Sequence, residues 1–497
     1  MPHYLSRFLL LEALLFSFFS IVCVYCDNFY VAPLGSDENQ GTLENPWRSI
    51  EYSINQLKAG DTLFLREGVY SESIRIYEGG EENNRIIIRN YQDEKPLIEG
   101  SSVDAANGLV INTGHLELAG LEISNWECGI WAESSYDIQI TNCTVHDVSY
   151  GIGFSDGTHN FTLRDCYLHH FDLYGFDASP SGGSDCYDGT IINCTAIHGR
   201  DPEQNVDGFA LGHGDQHGFR FINCITIDVA DGFDISADQT TLIGCWADRC
   251  YTAGYKIWGD EVTLMNCISS DGSVSNLELD WSGTPKTVSV INCDMINAAT
   301  FNIWVENPKD TLILYNSIIA GGKNIGIAFE SGLNDGYIGD YNLFQNGDKA
   351  RMIVISYEQE FSLNDINSDN WSSKTSQDTH TIITENSNNL FQDAENKNFM
   401  PTETSPTIDK GGGEYLAPFD YDGLARPNGE GIDIGAYEYY DNRQNTRILP
   451  ITEMPINSHS NTDNNQTEES STGSLTFMII IFAALVIITI IIIARRH

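Results

Sequence analysis

A dipeptide of asparagine and cysteine returns through the middle of the chain at intervals of roughly 20 to 30 residues, once two variants with aspartate or glycine first are included. The dipeptides are Asn142-Cys143, Asn193-Cys194, Asn223-Cys224, Asn266-Cys267 and Asn292-Cys293, with Asp165-Cys166 and Gly244-Cys245 between them. Short alternating apolar segments, such as residues 240–243 and 288–291, lie in the intervals and are typical of β-strands. The period predicts an all-β fold, a right-handed parallel β-helix in which each repeat forms one coil.

The repeated residues also predict how the coils pack. Equivalent residues of stacked coils form ladders with a spacing of about 4.8 Å. Asparagine side chains in such a ladder can hydrogen-bond to one another, and cysteine is a small apolar residue suited to the interior. We therefore expect the cysteines to pack inside the solenoid, with disulfides or a metal site as the alternatives.

A solenoid of this kind needs a cover at its first coil. Residues 46–58 place Trp47, Ile50, Ile54 and Leu57 on one helical face, and Pro46 suits the first turn of a helix. The segment therefore predicts an N-terminal capping helix.

The two ends predict export and anchoring. Residues 1–26 combine Arg7 with a long apolar run and are typical of a signal peptide. Residues 441–474 are rich in polar residues, which predicts a flexible stalk. Residues 475–494 carry no charge and would span about 30 Å as a helix, the thickness of a bilayer core. Because Arg495 and Arg496 follow, we expect residues 495–497 to be cytoplasmic and the β-helix domain, residues 27–440, to face outward.

The charge balance restricts the partners of the domain. The chain carries 70 acidic and 26 basic side chains, for a formal net charge of -44. Nucleic acid is excluded as a partner because phosphates would be repelled. An acidic polysaccharide would be repelled as well unless a bound cation reversed the local charge.

Aspartates gather in the coils that carry a recurrent glycine. Aligning these coils on Gly208, Gly232 and Gly254 predicts two columns: Asp207 over Asp231, and Ala210, Asp234, Lys256 and Glu278. Three converging carboxylates suit Ca²⁺, which takes six to eight oxygen ligands at about 2.3 to 2.6 Å. Strict strand alternation would send Asp231 and Asp234 to opposite faces, so this site needs a bend at Gly232.

Several segments resemble known polysaccharide-active β-helix proteins. The resemblance covers Tyr30-Val31-Ala32, Asn45-Pro46-Trp47, Gly60-Asp61-Thr62 and Gly68-Val69-Tyr70 at the start, and residues 405–409 and 433–438 at the end. The segments Asn205-Val206-Asp207-Gly208-Phe209-Ala210, Asp231-Gly232-Phe233-Asp234 and Gly254-Tyr255-Lys256 are similar to the active-site region of polysaccharide lyase family nine, the calcium-dependent pectate lyases.

The resemblance implies a role for each matching residue. In that family four aspartates on neighbouring coils hold calcium, and a lysine one coil further on is the catalytic base. Asp207, Asp231 and Asp234 match three of the calcium ligands, and Lys256 matches the base. The fourth aspartate is absent, because Ala230 stands at its position.

Other residues offer further hypotheses. Trp258, Trp281 and Trp304 could stack on sugar rings, with Glu278 and Asp280 beside them as substrate-binding residues. The acidic residues Glu278, Asp280 and Glu306 raise the alternative of a glycoside hydrolase with paired carboxylates. The spacing of His213, Asp215 and His217 could bind a metal.

Together these features predict a monomeric cell-surface enzyme that cleaves an acidic polysaccharide by calcium-assisted β-elimination. Calcium would neutralise the uronate carboxylate, and a partly neutral lysine would then take the adjacent proton. The alternatives are a non-catalytic surface protein that binds glycans or calcium through a degenerate site, and a hydrolase or uronate epimerase on the same scaffold.

Overall fold

The computed structural model describes residues 26–441 except 103–105, 180–183, 201–203, 282, 334–335, 346–350 and 386–388. The strands, in chain order, are β1 (Asn28–Val31), β2 (Thr62–Leu65), β3 (Gly68–Tyr70), β4 (Ile74–Ile76), β5 (Ile86–Asn90), β6 (Pro96–Glu99), β7 (Leu109–Ile111), β8 (Gly114–Ala119), β9 (Glu122–Ser124), β10 (Cys128–Glu133), β11 (Tyr136–Thr141), β12 (Thr144–Ser155), β13 (His159–Arg164), β14 (Tyr167–Ala178), β15 (Tyr187–Ile192), β16 (Thr195–Ile197), β17 (Asp207–Leu211), β18 (Arg220–Ile222), β19 (Ile225–Ile227), β20 (Phe233–Ile235), β21 (Thr241–Ile243), β22 (Trp246–Asp248), β23 (Ala253–Ile257), β24 (Val262–Met265), β25 (Ile268–Ser270), β26 (Ser275–Leu279), β27 (Thr287–Ile291), β28 (Asp294–Ile296), β29 (Phe301–Val305), β30 (Thr311–Tyr315), β31 (Ile318–Ala320), β32 (Ile325–Phe329), β33 (Tyr337–Asp340), β34 (Leu343–Gln345), β35 (Arg351–Ile355), β36 (Gln359–Phe361), β37 (Ile382–Thr384), β38 (Phe391–Asp393) and β39 (Asn398–Pro401). The helices are α1 (Ile50–Ile54), α2 (Leu363–Asn367), α3 (Ser372–Thr375) and a 3-10 turn (Ala394–Asn396).

The strands form three parallel faces that run along one axis. Face A is the sheet from β1 through β2, β5 and β8 to β33. Face B stacks the short strands β16, β19, β22, β25, β28 and β31, and face C stacks β17, β20, β23, β26, β29 and β32. The long strands β12 and β14 belong to both B and C, which joins these faces into one sheet. The fold is a right-handed parallel β-solenoid of about 11 turns, as the repeat predicts.

The asparagine of each dipeptide occupies the corner between faces A and B. Asn142, Asn193, Asn223, Asn266 and Asn292 all have φ between 51° and 55°, and Asp165 and Gly244 take the same left-handed position at 55° and 60°. Glycine adopts this conformation without strain, and asparagine and aspartate tolerate it better than other side chains. The backbone of the corner therefore accounts for the recurrence.

The corner side chains form the expected ladder only in part. Asn223 Nδ2 donates to Asn193 Oδ1 at 3.3 Å, and Asn193 Nδ2 donates to Asp165 Oδ1 at 3.0 Å. In the later coils the amides bond instead to the C-terminal segment, since Asn266 Nδ2 donates to the carbonyl of Phe419. Residues 412–435 supply the other partners of these corners.

The cysteine after each corner points into the solenoid. Ten cysteines between Cys128 and Cys293 are buried free thiols. The expectation of internal packing is confirmed for these residues.

The predicted N-terminal helix is shorter than expected. Of residues 46–58, only α1 is helical, and it begins after Ser49, whose side chain accepts a bond from Tyr52 N. Trp47, Ile50 and Ile54 are nevertheless buried. A role for α1 as the cap of the first coil stays a prediction.

The predicted signal peptide except Cys26, the stalk except Asp441, the transmembrane helix and the tail lie outside the described residues. Within residues 26–441, leaving aside the gaps, no helix is both long and apolar enough to cross a membrane.

Candidate functional site

The candidate site lies on face C, where β17, β20 and β23 come from three consecutive coils. Phe209, Phe233 and Tyr255 are in register and buried, and their rings stack at 5.3 and 5.0 Å. This aromatic ladder fixes the register of the residues beside it. The predicted column is present: Ala210 pairs with Asp234, Asp234 with Lys256, and Lys256 with Glu278.

Glycines bring the three coils into close contact at the start of these strands. A side chain at Gly232 would place its Cβ 2.5 Å from the Gly254 carbonyl oxygen, so no larger residue fits without displacing backbone. Gly232 lies in a bend, and Asp231 precedes β20 rather than belonging to it. The bend that the sequence required is therefore present, and Asp231 and Asp234 reach the same spot.

Asp207, Asp231 and Asp234 form a carboxylate triad. One oxygen from each lies within 4.8 Å of the others. Asp207 and Asp231 are fully buried, while Asp234 is half-buried. We call these three residues the aspartate triad.

Backbone and amide donors satisfy part of the triad. Asn205 Nδ2 donates to Asp207 Oδ2 at 3.0 Å, and Asp231 N donates to Asp207 Oδ1 at 3.3 Å. Ala253 N donates to Asp231 Oδ1 at 2.9 Å. Two of the other oxygens, Asp231 Oδ2 and Asp234 Oδ1, are buried and accept no hydrogen bond.

The triad carries the electrostatic cost of converging carboxylates. Burial, followed by the charges of Asp231 and Asp234, raises the pKa of Asp207 to about 9. Burial and the charge of Asp231 raise the pKa of Asp234 to about 7. Burial also raises the pKa of Asp231, against the opposing effect of Lys256. Each shift indicates that the protein alone compensates the ionised form only in part.

These observations fit a hard divalent cation. Carboxylate oxygens are the ligands that calcium prefers, and buried oxygens without a donor are costly unless a cation or proton meets them. Asp234 Oδ1 is such an oxygen, and Asp231 Oδ2 accepts no hydrogen bond although the Lys256 ammonium lies 3.6 Å away. Its residues are therefore chemically suited to calcium.

Lys256 lies beside the triad on the next coil. Its Nζ is 3.6 Å from Asp231 Oδ2 and 3.5 Å from Asp280 Oδ2, and it lies 5.2 Å from the ring centre of Trp258. Burial lowers the pKa of Lys256, but the charges of Asp231, Asp234 and Asp280 outweigh burial and raise it above its ordinary value. The ammonium form is therefore stabilised in the absence of a cation.

A second acidic group lies on the other side of Lys256. Oxygens of Glu278, Asp280 and Glu306 lie within 4.8 Å of one another. Burial and the charge of Asp280 raise the pKa of both Glu278 and Glu306 to about 7. The backbone N–H of Trp281 donates to Asp280 Oδ1 at 2.6 Å and to Glu306 Oε2 at 3.2 Å. It therefore links these two carboxyl groups.

The three candidate tryptophans have different surroundings. Trp281 is 52% exposed. Trp258 is half-buried and contacts the ring of His213 edge-on at 5.1 Å. Trp304 stacks on Phe301 and donates from Nε1 to Glu330 Oε2 at 3.1 Å. Trp281 therefore offers the largest accessible surface for a sugar ring.

The structure does not bring His213, Asp215 and His217 into a metal-binding group. Among the described residues, only the aspartate triad and the group Glu278, Asp280 and Glu306 bring three such ligand atoms together. His217 instead stacks on Tyr187 at 5.6 Å, and its Nδ1 contacts the Asp215 carbonyl.

Sequence reasoning did not find the contact between Asp280 and Lys256. Asp280 follows β26 directly, and its N–H donates to the Ile257 carbonyl of the preceding coil. The signal was present, since Asp280 is two residues beyond Glu278, the neighbour of Lys256 in the column. It required knowing where each strand ends.

Comparison with known proteins agrees with this architecture. Residues 29–264 match the family described as Pel9A-like, right handed beta helix region. A curated relative from Emericella nidulans, pectate lyase PEL9, is 27% identical over 205 residues, which cover 39% of this chain and 46% of that protein. Pectate lyase L of Dickeya dadantii is 25% identical over 253 residues, covering 48% and 53%.

Two further likenesses extend the comparison. The uncharacterized protein YwoF of Bacillus subtilis is 40% identical over 150 residues, covering 29% of this chain and 28% of that protein. The crystal structure of pectate lyase Pel9A aligns with a TM-score of 0.51 at 16% identity, over 84% of this chain and 98% of that one. This alignment supports the fold. The chain spans about half or less of the length of these curated relatives.

Proposed function

We propose that this chain, a pectate lyase-like right-handed β-helix protein with a Pel9A-like region at residues 29–264, cleaves a uronate-containing polysaccharide. The proposed reaction is calcium-assisted β-elimination. The observation that carries the proposal is the aspartate triad with Lys256 against it, 3.6 Å from Asp231. The aspartate triad alone would supply a cation site but no base. Lys256 beside it would supply the base that elimination needs.

Each residue has a defined part in this reaction. Asp207, Asp231 and Asp234 would hold the calcium ion. Bound there, calcium would neutralise the uronate carboxylate and so acidify the adjacent C5 proton. Lys256 would take that proton, the bond from C4 to the glycosidic oxygen would break, and a C4–C5 double bond would form. The departing glycosidic oxygen would take a proton from water. Trp258, Glu278, Asp280 and Trp304 would line the sugar-binding groove.

The base must be neutral to act. Because neighbouring carboxylates raise the pKa of Lys256, only a small fraction of the side chain is neutral near pH 7. We therefore expect the rate to rise with pH above neutrality.

A non-catalytic calcium- or glycan-binding protein is the second candidate. Ala230, where the similar family has a further aspartate, supports it, since a site with fewer carboxylates holds calcium less tightly. This candidate predicts calcium binding without product.

We also propose that the β-helix acts outside the cell, exported by residues 1–26 and held by residues 475–494. Protease added to intact cells should then remove the β-helix domain but leave a cytoplasmic marker intact. Protection of the domain would reject this location.

The deciding experiment follows the ultraviolet absorbance of the unsaturated uronate. The purified chain is incubated with polygalacturonate and other uronate polymers, with calcium or with chelator. The proposal expects calcium-dependent product in the wild type and none with Lys256→Ala, while Lys256→Ala still binds calcium. Product that persists in Lys256→Ala would remove Lys256 as the base. Calcium binding without product on any uronate would favour the second candidate, and reducing ends without unsaturation would favour a hydrolase.

A further inference from the structure

A buried ion pair lies behind the contact between Lys256 and Asp280. Lys286 and Asp310 are each 2% exposed, and Lys286 Nζ is 2.9 Å from Asp310 Oδ2. The other oxygen of Asp310 accepts a bond from Lys286 N at 3.1 Å. Neither residue belongs to the aspartate triad, and the proposed reaction does not use them.

The pair fixes the connection between β26 and β27. Lys286 Nζ donates a second hydrogen bond to the carbonyl oxygen of Asp280. Asp280 and Lys286 are the first and last residues of this connection, so the bond closes it into a loop. The main chain of Asp280 is therefore held from the interior by a charged donor.

The side chain of Asp280 is held as well. The N–H of Trp281 donates to Asp280 Oδ1, which leaves Oδ2 directed at Lys256 Nζ, 3.5 Å away. Asp231 contacts the same ammonium from the preceding coil at 3.6 Å. Lys256 thus lies between two carboxylates on opposite sides along the axis.

Geometry, rather than stability, explains this arrangement best. Burying an ion pair carries a large desolvation cost, and an apolar pair of similar volume often stabilises a fold as well. A rigid aliphatic core would not, however, donate a charge-assisted bond to the Asp280 carbonyl.

We propose that Asp280 is a positioning residue that holds the Lys256 side chain in the groove, and that the buried pair Lys286–Asp310 fixes Asp280 for this purpose. The inference rests on the proposed function for its catalytic meaning. If Asp231 is engaged as a cation ligand, Asp280 is the carboxylate that continues to orient the lysine. Without Asp280, the aliphatic part of the Lys256 side chain would stay in place, but its ammonium group would lose its defined orientation.

The test uses two variants with one control. Asp280→Asn removes the charge but keeps the carbonyl and the shape. Lys286→Met combined with Asp310→Leu removes both buried charges, so that neither is left uncompensated. Glu360→Gln is the control, because it removes a carboxylate from an exposed ion pair with Arg351.

Two readouts separate positioning from mere folding. On the substrate that the wild type cleaves, we expect kcat of both variants to fall at least tenfold, with an unchanged calcium-induced shift in Tm and, for the double variant, KM within twofold. Acylation of Lys256 by an amine-directed reagent, followed by peptide mass spectrometry, should be at least threefold faster in both variants. The control should match the wild type in both readouts.

The labelling readout does not depend on activity. If the wild type produces no unsaturated sugar, the proposed function fails, and faster labelling of Lys256 in the double variant, which keeps the Asp280 charge, still supports the positioning role. If kcat and labelling of Asp280→Asn both equal those of the wild type, the positioning role is wrong. If Asp280→Asn shows the effect but the folded double variant does not, the part assigned to Lys286 and Asp310 is overturned.

Discussion

Replacing Asp234 by asparagine should stabilise the protein without calcium and remove its stabilisation by calcium. Burial and Asp231 raise the pKa of Asp234 from 3.8 to about 7. A raised carboxyl pKa contributes stability that is complete below about pH 4 and is lost as the pH rises through 7. At pH 8 a shift of about three units costs about 4 kcal/mol, at about 1.4 kcal/mol per unit.

The asparagine variant avoids this electrostatic cost but introduces a desolvation cost. Its amide remains partly buried with few partners, which costs about 1–3 kcal/mol. We therefore expect a net gain of about 1–3 kcal/mol at pH 8 in chelator, and no gain at pH 4, where the wild-type carboxyl is protonated. Calcium at a hundred times its Kd should stabilise the wild type by about 2.7 kcal/mol and the variant by much less.

The assay is thermal unfolding at pH 4 and pH 8, in chelator and in calcium. Asp294→Asn is the matched control. Asp294 is also buried with one oxygen lacking a hydrogen bond, and burial raises its pKa to about 7, but it lies outside the triad. The control should change the Tm in chelator yet keep the full calcium shift. If Asp234→Asn keeps the calcium-induced shift in Tm of the wild type, the assignment of Asp234 as a ligand is refuted.

Three further predictions test the site and the scaffold. Ala230→Asp should tighten calcium binding at least tenfold by titration calorimetry, since it adds a carboxylate next to Asp231, and unchanged affinity would place residue 230 outside the calcium site. Arg426→Met should cost about 3–5 kcal/mol in unfolding measurements, because it removes the fully buried guanidinium that pairs with the fully buried Glu438, whereas Arg351→Met at an exposed pair should cost less than about 1 kcal/mol. The ten buried thiols should not react with Ellman's reagent until the chain unfolds, and reductant should leave the Tm unchanged; rapid native-state labelling would contradict their burial.

The repeat made the solenoid and its columns predictable. A parallel β-helix keeps equivalent residues in register, so one alignment on the recurrent glycines placed Asp234, Lys256 and Glu278 correctly. The same periodicity predicted inward cysteines. Aligning the repeats therefore predicts the contacts of a residue wherever its neighbours are equivalent residues of adjacent coils.

Contacts between distant segments were not predictable in this way. The corner amides of Asn266 and Asn292 bond to residues more than 120 positions away, because the C-terminal segment folds back over the coils. Nothing in the dipeptide pattern distinguishes these corners from that of Asn193. The short length of α1 was not predictable either, because the apolar pattern of residues 46–58 does not mark where the helix begins and ends.

The position of Lys256 between Asp231 and Asp280 has a consequence for the order of events at the site. Without a cation, Asp231 faces the ammonium, and the attraction of the surrounding carboxylates keeps the lysine protonated. A cation at the triad competes with that ammonium for Asp231 and adds a positive charge beside it, and both effects favour the neutral amine. Cation binding would therefore prepare the base as well as the substrate, and the two requirements of elimination would be met by one event. The pH profile of the rate should therefore shift to lower pH as calcium is raised from below to above its Kd. A pH profile independent of calcium would show that Asp231 does not link cation binding to the deprotonation of Lys256.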